Sequence, residues 1–502
     1  MNLKRTSLEI AKIDKKGIDA FLEDITQKGI ELHDFYLLRG EYVCYEASFM
    51  PYKNTDLHML YSLSKAFTAI GIGFALSEGL LHLEDTLYSY FEEDLDSYFK
   101  KNLPSGNYHN PISEKARRIT IEHLLTMNTG QEAEPPILNY EFEGNWIAKF
   151  LQIEPVHEPG SFFFYDTTAT YCLSALITKV TGQTLADYLY PRFFAPLGME
   201  DYAWDNSPAG CSLGGIGLNL SIESIAKLGV FLLQEGNFNG KQLLDAAYLK
   251  RMTSNLVASI GGDVYDNGNN WGVGYGYQIW QCIPDGYYRG DGAFGQFAIV
   301  SPKDNLIIAT LSGTEDMGGL MDSMWKYLLP ACSPIDVATL TEAASTKETF
   351  TVPVLEGSDI LPVSLPAIFT VVPNEENIKS LRFNMSEKKV LSITCYFQDG
   401  KDHTLNFGYK VFEDNRIPGQ EYANYYTCGD ITTSNTSGCY AFFDNALYLK
   451  LCHLNGPLGI LAICRFTDDG LTIDVSKARS MSPKTSYHFE AERRECRKIT
   501  KI

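Results

Sequence analysis

Ser62 and Lys65 stand three residues apart at the head of "YSLSKAFTAIGIGFALSEG", residues 61–79 of this 502-residue chain. On a helix that spacing puts both side chains on one face. A serine hydroxyl is a poor nucleophile until a neighbour takes its proton, and a desolvated lysine with a lowered pKa can take it. The stretch that follows is almost wholly apolar, with Leu63, Ala66, Phe67, Ile70, Phe74 and Leu76 set among alanines and glycines. A helix apolar nearly all round is a core helix, so this one is expected to run from near Ser62 to Gly79 and to bury its lysine. The spacing alone says little, because S-x-x-K recurs at Ser97, Ser224, Ser323 and Ser386. Those four read as surface or helix coincidences. The bland reading of Ser62 and Lys65 is an N-cap and a lysine that snorkels to solvent.

Two other stretches carry candidate chemistry. In "HEPGSFFFYDTTATYCLSALITKVTG", Tyr165-Asp166-Thr167 precedes a helical pattern. A tyrosine beside a lysine can have its phenol pKa drawn down and can shuttle a proton; otherwise it is a rim aromatic with a wet hydroxyl. In "YYRGDGAFGQFAIV", Gly290, Gly292 and Gly295 surround the start of a strand. Glycine there marks close approach of a ligand or of backbone, or simply a tight turn.

In this order the three stretches resemble the serine β-lactamase and penicillin-binding-protein superfamily, in its class C β-lactamase-related serine hydrolase branch. That branch holds β-lactamases, D-amino-acid peptidases, esterases and an amide hydrolase. Ser62-Leu63-Ser64-Lys65 matches the first motif, Tyr165-Asp166-Thr167 takes the place of Tyr-x-Asn, and Gly290-Asp291-Gly292 that of Lys-Thr-Gly or His-x-Gly. "IEHLLTMNTG" and "GGIGLNLSIESIAKLGVFLLQEG" resemble flanking text of the family, so the likeness covers roughly residues 15–332.

The resemblance implies an acyl-enzyme mechanism. Ser62 is the nucleophile, with Lys65 and Tyr165 relaying its proton. The backbone N–H groups of Ser62 and Ala293 form the oxyanion hole, and Thr167, Gly290, Asp291 and Gly292 bind substrate. No metal or organic cofactor is implied, and no histidine acts. Two departures bear on specificity. Thr167 replaces an amide with a single hydroxyl. The third motif has Gly290 where a cation is usual and gains the negative Asp291, which disfavours a carboxylate-bearing substrate. Arg289 compensates only if it turns inward, and in a strand it points to the opposite face from Gly290. The leading expectation is cleavage of an ester or amide in a small-molecule or peptide-like substrate. The alternatives are a β-lactamase or D-Ala-D-Ala carboxypeptidase, and a non-catalytic binding or sensor protein on the same fold.

The elements that must position these residues follow from periodicity. Ile18, Phe21, Leu22, Ile25 and Ile30 mark a helix over residues 14–31, and a hairpin turns at Arg39-Gly40-Glu41. Residues 111–200 read as mostly helical, and 220–236 as a helix with Ser221 as N-cap and Gly236 as stop. From residue 271 the pattern turns to strands, and one helix returns before Pro330. Strands at both ends with helices between suit an α+β domain whose sheet joins the two ends, the β-lactamase-like catalytic domain of residues 1–332 with its helical subdomain. Residues 333–350 read as a linker. Residues 351–502 alternate in short segments, an all-β sandwich or barrel-like domain.

Composition bounds the partners. The chain is 45% hydrophobic and 21% charged, which with its length suggests two or three domains. Its net charge of −20 argues against nucleic acid. No run approaches the ~18–20 apolar residues of a spanning helix, and the N-terminal stretch has no signal-peptide apolar core. Eleven cysteines, several in apolar contexts such as Cys172, Cys395 and Cys464, with no C-x-x-C pair, read as core residues of a reducing, cytoplasmic protein without structural zinc. Oligomeric state is left open.

Overall fold

The segments on either side of Arg39-Gly40-Glu41 form a hairpin, and that hairpin joins a mixed sheet. The structure is a computed structural model and describes residues 3–102, 110–135, 144–259, 269–418, 433–479 and 485–493. Two compact units arise from the chain's contacts: residues up to Ser48 with Asn54–Glu348, and Phe49–Lys53 with the chain from Thr349.

The first unit's sheet contains β1 (Lys4–Arg5), β2 (Leu32–Arg39), β3 (Tyr42–Met50), β4 (Trp280–Gln281), β5 (Tyr288–Gly292), β6 (Gln296–Ser301), β7 (Leu306–Ser312) and β8 (Thr346–Thr351). Its order is β1-β3-β2-β7-β6-β5-β4, with β8 pairing β3. The antiparallel β2–β7 pairing, with Leu37 opposite Ile308, joins the two ends of the segment. Part of the stretch expected as a linker is therefore β8, a strand in this sheet. Its alternation of half-buried and exposed residues (Thr346–Thr351) is a one-sided edge-strand pattern that the small, polar composition concealed.

Strands β2, β6 and β7 are buried along their whole length because helices cover both faces. On one face α1 (Lys15–Gln27) sets Phe21 against Phe35. Asp14 caps that helix by accepting from the Lys16 N–H. The other face carries α4 (Ile222–Leu233), which lies so near Ile307 that a Cβ on Gly229 would overlap it. Ser221 precedes α4 with extended backbone, yet its hydroxyl bonds the Ser224 hydroxyl at 3.3 Å instead of capping the helix.

The core helix is α2 (Ser64–Ser77), entered through a 3₁₀ turn, Tyr61–Leu63, and left at Gly79 with φ +69°. Ser62 thus sits in the tighter turn before the helix, one step from where periodicity placed it. Twelve consecutive residues of α2, Ser64 to Ala75, are buried. It packs against α3 (Thr167–Thr181), which begins a short distance after Tyr165 and is capped by Asp166. Around these lie shorter helices, among them Leu87–Asn102, Ile121–Leu125 and Trp146–Gln152.

Strand β5 runs close beside the Tyr61–Leu63 turn. A Cβ added to Gly292 would overlap the Leu60 carbonyl oxygen, and one added to Gly290 would overlap the Leu63 Cδ1. Gly292 admits backbone and Gly290 a leucine side chain, not ligand, to close range.

The second unit is all-β. Its strands are β9 (Ala367–Val371), β10 (Ile378–Met385), β11 (Val390–Phe397), β12 (Asp402–Tyr409), β13 (Glu413–Pro418), β14 (Thr433–Phe443), β15 (Ala446–His453), β16 (Gly459–Phe466), β17 (Gly470–Ala478) and β18 (Ser486–Arg493). They pair in the order β12-β11-β10-β9-β18-β17-β16-β15-β14-β13. A parallel contact between β12 and β14, Gly408 opposite Cys439, closes nine of them into a ring. Between the two architectures left open by alternation, the closed barrel is the one formed.

Gly292→Ala is expected to lower stability by about 1–3 kcal/mol, since backbone must move, and Gly290→Ala by less, since only a flexible leucine tip must yield. Denaturant midpoints of the two variants test this, and equal shifts would contradict the packing argument.

Candidate active site

The Tyr61–Leu63 turn and the first turn of α2 hold Ser62 and Lys65 on one side. Lys65 is 1% exposed, and its Nζ donates to Ser62 Oγ at 2.9 Å, to the Gly215 carbonyl at 3.0 Å and to Thr167 Oγ1 at 3.3 Å. Three donor bonds account for the three protons of an ammonium. The partner loop is fixed from below: Thr68 Oγ1 donates to the Gly214 carbonyl at 2.8 Å, and the Leu218 N–H donates to Ser64 Oγ at 3.2 Å. The lysine does not snorkel.

Burial pushes Lys65 down from its ordinary 10.5 to about 7, against the opposing pull of Glu134, Asp166 and Asp291. Between about pH 7 and 10.5 the unfolded chain therefore holds a proton that the fold does not, so this group makes the fold more stable as pH rises through that window. Near neutrality an appreciable share of Lys65 is the free amine, the form that can accept the Ser62 proton.

Tyr165 faces the same lysine. Lys65 Nζ lies 4.8 Å from the centre of its ring, and the ring stacks on Trp280 at 5.3 Å and meets Tyr275 edge-on at 6.3 Å. Thr167 opens α3 and presents its hydroxyl to Lys65. Ser62, Lys65, Tyr165 and Thr167 thus meet at one place, although about a hundred residues separate the two pairs.

The third motif behaves differently. Gly290 and Gly292 face the nucleophile's turn, while Arg289 and Asp291 share the opposite face, as the period of two requires. Arg289 Nε donates to Asp291 Oδ2 at 2.8 Å, and the Trp271 indole N–H donates to the same oxygen at 2.9 Å. The guanidinium also donates to the Gln281 carbonyl at 3.1 Å and lies against the rings of Trp271 and Trp280. Burial pushes the Asp291 carboxyl up, with Arg289 and Trp271 pulling it back. Asp291 is therefore the partner of a buried arginine, not a bare negative charge facing substrate. Ala293 follows in the β5–β6 turn, where its carbonyl accepts from Gln296 Nε2 at 3.0 Å.

Periodicity and motif spacing missed Glu134. Its Oε1 accepts from the Thr168 N–H at 3.0 Å, while Asp166 Oδ1 accepts from that same N–H at 2.7 Å. Asp166 is buried and Glu134 half-buried, and carboxyls so close disfavour each other's ionisation. Burial and the neighbouring charge drive Asp166 well up, and Glu134 is raised less because Lys65 attracts its charged form. Glu134 lies in "QEAEPP", where no spacing rule marks it. The other buried S-x-x-K pair, Ser224 and Lys227, makes no such site, because Lys227 turns away to the Gly198 carbonyl at 2.9 Å and toward Glu223. Among the described residues no cluster of three or more His, Cys, Asp or Glu is arranged to hold a metal, and no helix is long and apolar enough to cross a membrane.

Residues 35–332, more than half of the chain, match the family described as Beta-lactamase. Over 164 residues the chain is 29% identical to penicillin-binding protein 4* of Bacillus subtilis, covering 30% of this chain and 31% of that one. Over 174 residues it is 26% identical to the lovastatin esterase of Penicillium rubens, covering 32% and 43%. The chain thus spans less than half the length of either relative. A solved structure from Bacteroides dorei, assigned as a β-lactamase, superposes with a TM-score of 0.52 at 16% identity, over 63% of this chain and 99% of that one. That likeness concerns fold alone.

Covalent labelling of Ser62 by a fluorophosphonate should accelerate as pH rises through about 7, as Lys65 loses its proton. Glu134→Gln removes a charge that favours the ammonium, so the midpoint should move to lower pH. An unmoved midpoint would show that Glu134 carries no charge felt by Lys65.

Proposed function

The chain belongs to the β-lactamase family, and from that premise we propose that it is a serine hydrolase cleaving a neutral ester or amide through an acyl-enzyme on Ser62. The observation that carries this reading is the 2.9 Å bond from a fully buried Lys65 to Ser62 Oγ, with the lysine held near neutrality by desolvation.

Ser62 Oγ attacks the acyl carbon while Lys65 Nζ accepts its proton. The oxyanion that develops accepts from the N–H groups of Ser62 and Ala293. The proton passes through Lys65 and Tyr165 to the leaving alcohol or amine as its bond to the acyl carbon breaks. Water then attacks the ester, gives up a proton to the Tyr165–Lys65 pair, and releases the acid while Ser62 recovers its hydrogen. Thr167 contributes one hydroxyl that orients the lysine.

The preference for a neutral substrate rests on charge. Gly290 offers no cation where the family usually has one, Leu63 fills the space a side chain there would need, and Arg289 lies on the far face bonded to Asp291. A substrate carboxylate finds no complementary side chain from this strand. The esterase among the relatives is consistent with an ester as the scissile group.

Intact-mass analysis after fluorophosphonate treatment should show one adduct on the wild type and none on Ser62→Ala. Tyr165→Phe should lower kcat by about 10²–10⁴-fold if it carries the proton. In a panel of paired substrates, neutral esters should surpass their carboxylate-bearing counterparts in kcat/KM. An adduct that persists in Ser62→Ala would overturn the assignment of the nucleophile.

A further inference from the structure

The barrel of the second unit is packed at one end and hollow at the other. Toward the turns at residues 386–389 and 467–469, Phe369, Phe383 and Phe466 form a cluster of rings 5.6–6.0 Å apart, with Leu391, Leu447 and Leu471 at 2% exposure or less around them. Four residues along from Leu391, Leu471 and Phe466 the same inward face changes character. Cys395, Leu405, Ile460, Ala462, Val475 and Phe489 point into the barrel, yet all are only half-buried. They line a cavity of about 770 Å³. Protein interiors contain few voids larger than a water molecule, whereas pockets that enclose a small organic ligand measure about 300–1,000 Å³. Closed barrels of about this strand number can either fill their interior with side chains or hold one small ligand.

Among the described residues the charged lining groups lie at the open end. Lys477 and Tyr487 stand on the ends of β17 and β18, His403 on the start of β12, and the turns at 372–377 and 398–401 complete the rim. Asp399 is paired with Lys401 at 3.2 Å, and Glu375 and Glu376 lie on an exposed turn. Lys477 is half-buried. Its ammonium donates to the Tyr487 hydroxyl at 3.0 Å and lies 4.8 Å from that ring's centre, and among the described residues it forms no ion pair with a carboxylate. A lysine bonded to a tyrosine hydroxyl, above an apolar well, suits a molecule with one acidic head and an apolar tail.

We propose that the barrel is a binding site for a fatty-acid-like amphiphile, its acyl chain between Ala462, Val475 and Leu405 and its carboxylate at Lys477. The site lies wholly in the second unit and does not depend on the reading of Ser62. Binding is noncovalent, and the ligand's chain replaces water along the apolar wall.

Titration of the full chain with cis-parinaric acid, followed by its fluorescence, should saturate at one molecule per chain. The methyl ester of the probe should bind at least about tenfold more weakly, and Lys477→Met should bring the acid down to the ester's affinity. Ala462→Phe and Val475→Phe each place a ring in the cavity, on neighbouring strands, and each should weaken the acid at least about tenfold. Thermal unfolding of both variants identifies the one to rely on should either fail to fold. Ser62→Ala should bind the probe like the wild type. Non-saturating fluorescence, or unchanged affinity in a folded cavity-filling variant, would overturn the site; equal binding of acid and ester would overturn the assignment of Lys477.

Discussion

The ammonium of Lys65 is held out of water, and the first unit is arranged around that fact. A lone charge in such a place loses its proton unless it is compensated. Compensation here is partial: a carbonyl and two hydroxyls accept from the nitrogen, while the acidic groups of Glu134, Asp166 and Asp291 pull against desolvation. The balance leaves the amine near its midpoint at neutral pH. More carboxylate charge would make it a permanent cation, and less would cost it the ability to return a proton.

Packing enforces the desolvation. Helix α2 has no solvent face along Ser64–Ala75, so the lysine cannot rotate into water, while Ser62, in the turn before it, is only half-buried. On the side toward β5, two glycines remove the Cβ atoms that would hold the strand away from the nucleophile's turn. The same strand's alternate face receives Arg289 and Asp291, whose mutual pairing with Trp271 satisfies charge that would otherwise be stranded. Trp280 then links the two faces, stacking on Tyr165 and lying against Arg289. The aromatic support of the tyrosine is thus continuous with the ion pair behind the strand.

In the second unit the governing constraint is closure. Nine strands joined in a ring leave no room for a second sheet, so the inward residues must either meet one another or enclose space. Bulky phenylalanines meet at one end. At the other, small residues such as Ala462 and Cys395 stand where larger ones would fill the interior.

Several features were legible from sequence because they depend on neighbours along the chain: the hairpin at Gly40, the amphipathic α1, the apolar α2, and the order of strands and helices. Ser62, Lys65, Tyr165 and the glycines of β5 were also visible, by spacing and resemblance. Tertiary structure alone decided the rest. Glu134 enters through a fold that sets it against Thr168, and no local pattern encodes that approach. Asp291 is expected from its motif position to meet substrate, with Arg289 compensating only if it turns inward; β5 instead puts both on the face away from the nucleophile's turn, where they pair with each other. Strand β8 was hidden by its polar composition, since an edge strand buries little. Alternation specified strands in the second unit but not whether they end in a sandwich or a ring, because period two is common to both, and the parallel contact of β12 with β14 spans residues that no local rule connects.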